Sequence, residues 1–386
     1  MGLASLQAKH VGVCALGKPW TTFEGASAGC TCPKGPTYYV VVREGSSNRK
    51  TRVGTNRKVA ERALRKIEVA IDEGAYRPHQ NVAFDTWSTK WLESIERKAT
   101  TVDSYRATMN HARRALRSKR VRDIRPDDIA GFSAGLRSEG LSPSTRAKHL
   151  RVLHACLEAA VRHDYASRNP VSELSPAQKP RAEKKEAAYY LNGELPQLFA
   201  ALPVGTIRTV CLLALKTGMR QGELMAVRWG DVDLSEGMIR VRHSYTDGYL
   251  STPKNHERRD VDLTDDAVEL LAGWWGDCGK PTDNKNLVFP GESKGGFLSG
   301  STILKHLYTA MAAADVPRVG PTGEKRTFHS LRHTFAKCAL ECGTEITWLS
   351  RHLGHGSLTV TSEIYGHFER AERKKQAAKL EGAFAV

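Results

Sequence analysis

Four short segments and one tyrosine in the second half of the chain carry residues whose types and spacing suit chemistry. Thr217-Gly218-Met219-Arg220-Gln221-Gly222-Glu223-Leu224 reads as a tight turn opening a helix, and Thr252-Pro253-Lys254-Asn255 sits in a strand–turn region. His329-Ser330-Leu331-Arg332-His333-Thr334 begins a helix. Leu353-Gly354-His355-Gly356-Ser357 is another turn, followed ten residues after His355 by Tyr365. Guanidiniums are always charged and offer planar forks that fit a phosphate. A phenolate can hold a covalent bond, and lysine and histidine can move protons. Together these types equip a site for charge-stabilised phosphoryl transfer.

Each residue also has a plainer reading. Arg220 and Glu223, three residues apart, suit a helix-surface ion pair. Lys254 alone suits a solvated lysine. Tyr365 suits a core aromatic, although it is the only tyrosine after Tyr308 and sits before a polar Gly366-His367. His329, His333, His352 and His355 are zinc-ligand types, but no His-Glu-x-x-His is present and paired arginines would repel a cation. His333 and His352 read as packing or supporting residues.

The elements that must position these groups fall into three blocks. The last, 188–386, alternates helical stripes with a strand cluster at Met238–His243, Tyr249–Thr252 and Arg259–Leu263. Before it, residues 176–187 form a polar linker without apolar periodicity. The middle block, 84–175, reads as all helix: Phe84, Trp87, Trp91 and Ile95 make one apolar stripe, and Val102, Tyr105, Met109, Ala112 and Leu116 another. Leu150, Leu153, Leu157 and Val161 make a third, while Pro126 and Pro143 look like first-turn prolines, the latter behind a Ser142 cap. The first block, 1–83, holds a β-type run at Tyr38–Val42, a turn around Gly45-Ser46-Ser47 and a basic strand near Lys50–Val53. A helix follows Thr55, with Ala60, Ala63, Leu64, Ile67, Ala70 and Ile71 on one face and Gly74 as its stop. The fold class is therefore multidomain α+β, with a small N-terminal sheet-plus-helix domain.

At 386 residues, 40% hydrophobic and 26% charged, the chain is globular rather than disordered. No apolar run is long enough to span a bilayer, and the N-terminus lacks a signal-peptide core, so a cytoplasmic location without membrane contact is expected. The net charge of +16 favours a polyanionic partner. Residues 1–187 hold +15 of it and 188–386 only +1. The basic residues are dense enough for phosphate contacts at Arg113, Arg114 and Arg117 and at Arg146, Lys148 and Arg151. Arg43, Arg49, Lys50 and Arg52, on or beside the first strands, could lie in a DNA groove.

Eight cysteines are scattered along the chain, most on apolar faces, as suits reduced thiols. His10, Cys14, Cys30 and Cys32 are zinc-ligand types. Their Cys-x-Cys spacing is tighter than the usual gap of two to four residues, so no metal and no cofactor is assigned, and stoichiometric zinc in a metal assay would overturn that reading.

The ordered series Arg220, Lys254, His329-x-x-Arg332, Gly354-His355 and Tyr365 resembles the tyrosine recombinases, the phage integrase family of site-specific DNA recombinases, over about 188–375. The two preceding blocks are similar to the arm-binding and core-binding domains of the longer integrases. The resemblance implies a SAM-like all-α core-binding domain and a mainly-α catalytic domain with a small antiparallel sheet. It makes Tyr365 the nucleophile, Arg220 and Arg332 the phosphate clamps, Lys254 the general acid, His329 an aid to proton transfer and His355 a donor to the scissile phosphate. Glu223 then supports Arg220, and His333 is a supporting residue. The product would be a 3′-phosphotyrosyl link with a free 5′ hydroxyl, made without metal or ATP.

The chain departs from the family pattern in two places. The spacing from His355 to Tyr365 is one residue longer than in many members, and Gly356 stands where serine is common. The implied partners are double-stranded DNA at core and arm sites, further copies of the chain in a DNA-bound tetramer, and an excisionase or DNA-bending protein. A C-terminal helix over Glu369–Leu380 suits packing on its own domain, and the resemblance implies instead that it docks on a neighbouring protomer. The expected activity is integration or excision of a phage or other mobile element. A type IB-like topoisomerase and a non-catalytic DNA-binding regulator stand as the alternatives.

Overall fold

The computed structural model describes residues 4–10, 14, 16, 20–22, 30–32, 35–44, 47–73, 82–182, 185–252, 258–293 and 295–365. By contact it divides into two compact units, one of residues 1–89, 113–131 and 153–174, the other of 90–112, 132–152 and 175–386.

In the first unit, β1 (Ala4–Lys9), β2 (Trp20–Thr22), β3 (Thr37–Glu44) and β4 (Ser47–Gly54) form an antiparallel sheet in the order β2-β1-β3-β4. Helix α1 (Arg57–Asp72) follows, its first turn capped by the Asn56 side chain, which accepts from the Val59 amide. Leu6, Ala8, Tyr38, Val40 and Val42 alternate along their strands onto one face and pack with Ala60 of α1. The ladder sets Val41 opposite Lys50, Tyr39 opposite Arg52 and Val42 opposite Arg49. Directly opposed residues share a face, so Arg43, Lys50 and Arg52 stand on the side away from α1. On that side Lys50 Nζ lies 3.8 Å over the Trp20 ring, and Trp20 meets Tyr39 edge-on at 4.9 Å. The expected strands and helix are present. β1 and β2 are additions that their short, mixed sequences did not announce. Gly45, Ser46 and Gly74 lie outside the described residues.

The middle stretch is helical: α2 (Phe84–Glu93), α3 (Ala99–Leu116), α4 (Pro126–Ser138) and α5 (Pro143–Arg162). Pro126 and Pro143 open their helices, and the Ser142 hydroxyl caps α5 by accepting from the Thr145 amide at 3.3 Å. Phe84, Trp87, Met109, Ala112, Leu116, Leu153 and Leu157 are buried, each within its predicted stripe.

The remaining elements belong to the second unit. Helices α6 (Leu195–Ala201), α7 (Thr206–Thr217) and α8 (Gln221–Ala226) precede two small sheets. β5 (Val232–Asp233), β6 (Met238–Val241) and β9 (Arg259–Asp262) form the first, ordered β5-β6-β9, and β7 (Ser244–Thr246) pairs with β8 (Tyr249–Ser251) in the second. After α9 (Asp265–Asp277), β10 (Pro290–Ser293) and α10 (Gly300–Ala313) come α11 (His329–Glu341), α12 (Ile346–Leu353) and α13 (Leu358–Tyr365). One core joins α7, α8, β6, β9, α9 and α10 around Val210, Leu224, Ile239, Val261, Leu271 and Leu307. A second gathers Ala336 and Leu340 of α11, Leu349 and Leu353 of α12, and Tyr365.

Candidate active site

The C-terminus of α12 is the anchor of the site. A helix end leaves carbonyls without intrahelical partners and carries partial negative charge. Three successive carbonyls here each take one arginine. His352 O accepts from Arg259 Nε at 2.9 Å, Leu353 O from Arg332 Nη2 at 2.7 Å, and Gly354 O from Arg220 Nη2 at 2.7 Å. Gly354 adopts the left-handed conformation at φ 63°, and a Cβ there would stand 2.9 Å from Arg259 Cδ, so glycine is required twice over. Gly218, also at φ 63°, ends α7 and turns its carbonyl to Arg332 Nη1 at 2.7 Å. A side chain there would press into Phe335 and Leu353.

Glu223 binds this cluster from below. Residing at the third position of α8, it reaches back to the Arg220 amide at 2.9 Å, one half of a capping box. The same oxygen accepts from Arg259 Nη2 at 2.7 Å, and the other accepts from Arg220 Nη1 at 2.9 Å and Arg259 Nη1 at 2.8 Å. Four donors thus fill the acceptor capacity of the carboxylate. Burial opposes its charge, but the hydrogen bonds and charge of Arg259, then Arg220, prevail and hold its pKa at about 2. Arg259 went unnoticed in the sequence because one arginine on a strand carries no motif. The buried acid facing Arg220 was the sign that a second cation was needed.

Arg332 is 2% exposed. Burial, then the like charge of Arg220, lower its pKa to about 9, which leaves it charged at neutral pH. Its Nη2 also lies 2.9 Å from His355 Nε2. A guanidinium only donates, so that nitrogen accepts and the imidazole proton sits on Nδ1, donated to Thr361 Oγ1 at 2.7 Å. Burial and then Arg332 lower the His355 pKa to about 3, so it is neutral. While Arg332 donates to it, His355 Nε2 has no proton to offer an anion.

Tyr365 is a core aromatic whose hydroxyl faces the site. Its ring is fully buried in the α11–α12 core and stacks at 6.4 Å on His355, while its hydroxyl lies 2.6 Å from His333 Nδ1. Burial raises the phenol to a pKa of about 12, against the pull of Arg332 and Arg220. His333 is lowered to about 3 by burial, then by His329 and Arg332, and is therefore a neutral imidazole beside a neutral phenol. His329, exposed at the start of α11, meets His333 edge-on at 4.7 Å. The His352 ring is a packing residue: its Nε2 donates to Thr217 O at 2.9 Å and it stacks on Phe335 and Trp348.

The structure thus brings together Arg220, Glu223, His329, Arg332, His333, His355 and Tyr365. Lys254 lies outside the described residues, as does the 369–386 tail. Among the described residues, the one group of His, Cys, Asp and Glu able to hold a metal ion is His10, Cys14, Cys30 and Cys32, none of them in this site.

The expected DNA contacts are of three kinds. Arg113 is half-buried and engaged with its neighbours, donating to Ser88 Oγ at 2.8 Å and Thr89 Oγ1 at 2.7 Å and pairing with Asp85. Arg114, Arg117, Lys148 and Arg151 are exposed, as are Arg43, Lys50 and Arg52. Arg146 is buried, its Nε has no hydrogen-bond partner among the described residues, and it lines a cavity with Arg137, Lys179 and Arg181.

Comparison with known proteins gives the same direction. Residues 192–372 match the model of the phage integrase family, and residues 83–179 match the phage integrase SAM-like domain. A tyrosine recombinase XerC-like protein of Caldanaerobacter subterraneus subsp. tengcongensis is 22% identical, over 91% of this chain and 97% of its own length. The fold matches the Tn1549 transposon integrase in complex with a circular intermediate DNA, at a TM-score of 0.64 and 17% identity over 76% of this chain and 99% of that one. It also matches a lambda integrase tetramer bound to a Holliday junction, at a TM-score of 0.60 and 20% identity over 86% and 93% of the two chains. On two adjoining family models and an ordered set of site residues, the chain belongs to the phage integrase family, the tyrosine recombinases.

Proposed function

We propose that the chain is a site-specific recombinase of mobile DNA, cutting and rejoining strands through Tyr365. The observation that carries this reading is the convergence of the Tyr365 hydroxyl, two phosphate-type guanidiniums and neutral imidazoles around one helix end. Tyr365 Oη attacks the phosphorus, the bond to the 5′ oxygen breaks, and the strand is held as a 3′-phosphotyrosyl ester. The phenol, at about 12, must lose its proton as it attacks. His333 is assigned as the acceptor on position alone, its Nδ1 lying 2.6 Å from the hydroxyl, since burial and the neighbouring cations oppose its protonation. Arg220 and Arg332 stabilise charge on the non-bridging oxygens from a preorganised, desolvated position. Lys254 supplies the proton to the departing 5′ oxygen, a role carried over from the family pattern. Attack by the partner strand's 5′ hydroxyl reverses each step and conserves the phosphodiester energy, so neither ATP nor Mg²⁺ is needed.

The same reading divides the chain into an arm-type DNA-binding module (1–83), a core-binding helical module (84–175), a linker (176–187) and the catalytic module (188–386). Lys50, Arg43, Arg52 and Trp20 share one basic and aromatic sheet face suited to a groove. Arg146, buried with an unpaired Nε beside Arg137, Lys179 and Arg181, suits a backbone phosphate. Assembly as a tetramer on DNA, with the 369–386 helix passing between protomers, belongs to this reading, as does recruitment of an excisionase or bending protein.

A nicked suicide substrate tests it. The intact chain is expected to form a covalent DNA adduct without added ATP or Mg²⁺, and Tyr365→Phe to form none. An adduct that persists in Tyr365→Phe, or one that requires Mg²⁺, overturns the mechanism.

A further inference from the structure

His10, Cys14 and the Cys30-Thr31-Cys32 pair come from three separate places in the N-terminal module. His10 directly follows β1, Cys14 lies between β1 and β2, and Cys30 and Cys32 precede β3. All four donor atoms nevertheless lie within 4.8 Å of one another. His10 Nδ1 stands 3.6, 3.3 and 3.7 Å from the sulfurs of Cys14, Cys30 and Cys32, and Cys14 Sγ lies 3.9 Å from Cys30 Sγ. A tetrahedral zinc with bonds of about 2.3 Å to sulfur and about 2.0 Å to nitrogen demands edges of roughly 3.8 Å between sulfurs and roughly 3.5 Å between nitrogen and sulfur. The observed distances have those lengths.

The surroundings suit a metal better than a thiol cluster. No disulfide joins these cysteines, and three sulfurs cannot all pair among themselves. Unlike Cys156 and Cys211, which are buried in apolar cores, these three are only half-buried. His10 is 4% exposed and its Nε2 lies 2.7 Å from Thr21 Oγ1 on β2. With Nε2–H donated to that hydroxyl, the Nδ1 lone pair points at the sulfurs, as outer partners of metal-bound histidines arrange. The amides of Leu16 and Thr31 donate to Cys14 Sγ, holding that sulfur in place.

We propose that these four residues bind one structural zinc ion, closed by Cys₃His ligation and separate from the recombination site. Four protein ligands leave no open position, so the ion acts as a staple rather than a catalyst. It ties the end of β1 and Cys14 to the segment that enters β3, the strand paired with β1, in a module whose apolar core is small. The Cys-x-Cys spacing that argued against zinc in the sequence is no obstacle, because the other two ligands arrive from β1 and the loop after it.

The intact chain, purified without chelator, is expected to carry one zinc per chain by elemental analysis, and Cys30→Ser and Cys32→Ser at least tenfold less. Replacement by Co²⁺ is expected to give the intense visible bands and near-ultraviolet thiolate charge transfer of a tetrahedral sulfur site. Alkylation mapped by mass spectrometry keeps the test sound should a serine variant fail to fold. In the metal-loaded wild type, Cys14, Cys30 and Cys32 are expected to react at least tenfold more slowly than exposed Cys342, and a chelator to abolish the difference. Absence of zinc after reconstitution, or equal alkylation with and without chelator, overturns the proposal and leaves the recombinase reading untouched.

Discussion

His333 Nδ1 and the Tyr365 hydroxyl are 2.6 Å apart, although 32 residues of chain separate them. The pairing links α11, which carries Arg332, to α13, which carries Tyr365, the proposed nucleophile. It predicts that His333→Ala slows formation of the covalent DNA adduct by about a hundredfold, the lower range of a positioned proton acceptor. Single-turnover cleavage of a nicked substrate measures this, with DNA binding as the control. Cleavage at the wild-type rate would remove His333 from the proton path.

Glu223 balances Arg220 and Arg259 in a buried setting. Glu223→Gln keeps the shape and removes the charge, leaving two guanidiniums to repel. Losing one partner of a buried ion pair costs about 3–5 kcal/mol. Thermal unfolding is expected to show a lower transition for the catalytic unit, together with lost cleavage. An unchanged melting temperature would mean that Glu223 contributes no net stability.

Acid should destabilise the catalytic unit, with a definite sign. His333 and His355 are held at about 3 in the fold against an ordinary 6.5, so an unfolded chain takes up protons that the folded one refuses. Their stabilisation is complete above pH 6.5 and is lost progressively as pH falls from 6.5 toward 3. Glu223, at about 2 against 4.5, adds to the loss below pH 4.5. Melting temperatures are expected to fall between pH 7 and pH 5, and less so in His333→Phe. A flat profile in the wild type would contradict the buried neutral imidazoles.

Arg146 tests the phosphate reading of the helical block. Arg146→Ala is expected to weaken binding evenly across DNA sequences and to lower the slope of log affinity against log salt by about 1. Arg113→Ala should instead lower stability, since its guanidinium holds Asp85, Ser88 and Thr89. A salt slope unchanged by Arg146→Ala would assign that arginine to the fold.

Most of the site was legible because its residues come as short ordered motifs whose types only phosphate chemistry unites. The apolar stripes of α2, α3 and α5 were equally legible, since helical periodicity repeats over several turns. What escaped depends on tertiary proximity. Arg259 is a solitary residue on β9, and the contact of His333 with Tyr365 requires knowing how α11 and α13 pack. β2 is three residues long, too short for a strand period to show. His10 and its three cysteines were readable as ligand types, but linear spacing could not reveal that β1 and β3 bring them together.

The end of α12 gives the active site a shared foundation. Three arginines hang on consecutive peptide groups of one helix terminus, and the tyrosine follows on the next helix. The three guanidiniums and Tyr365 therefore cannot drift independently: moving a single stretch of some fourteen residues, 352–365, would displace them together. A site built this way is all-or-none: partly assembled, it lacks both the clustered guanidiniums and the phenol beside them.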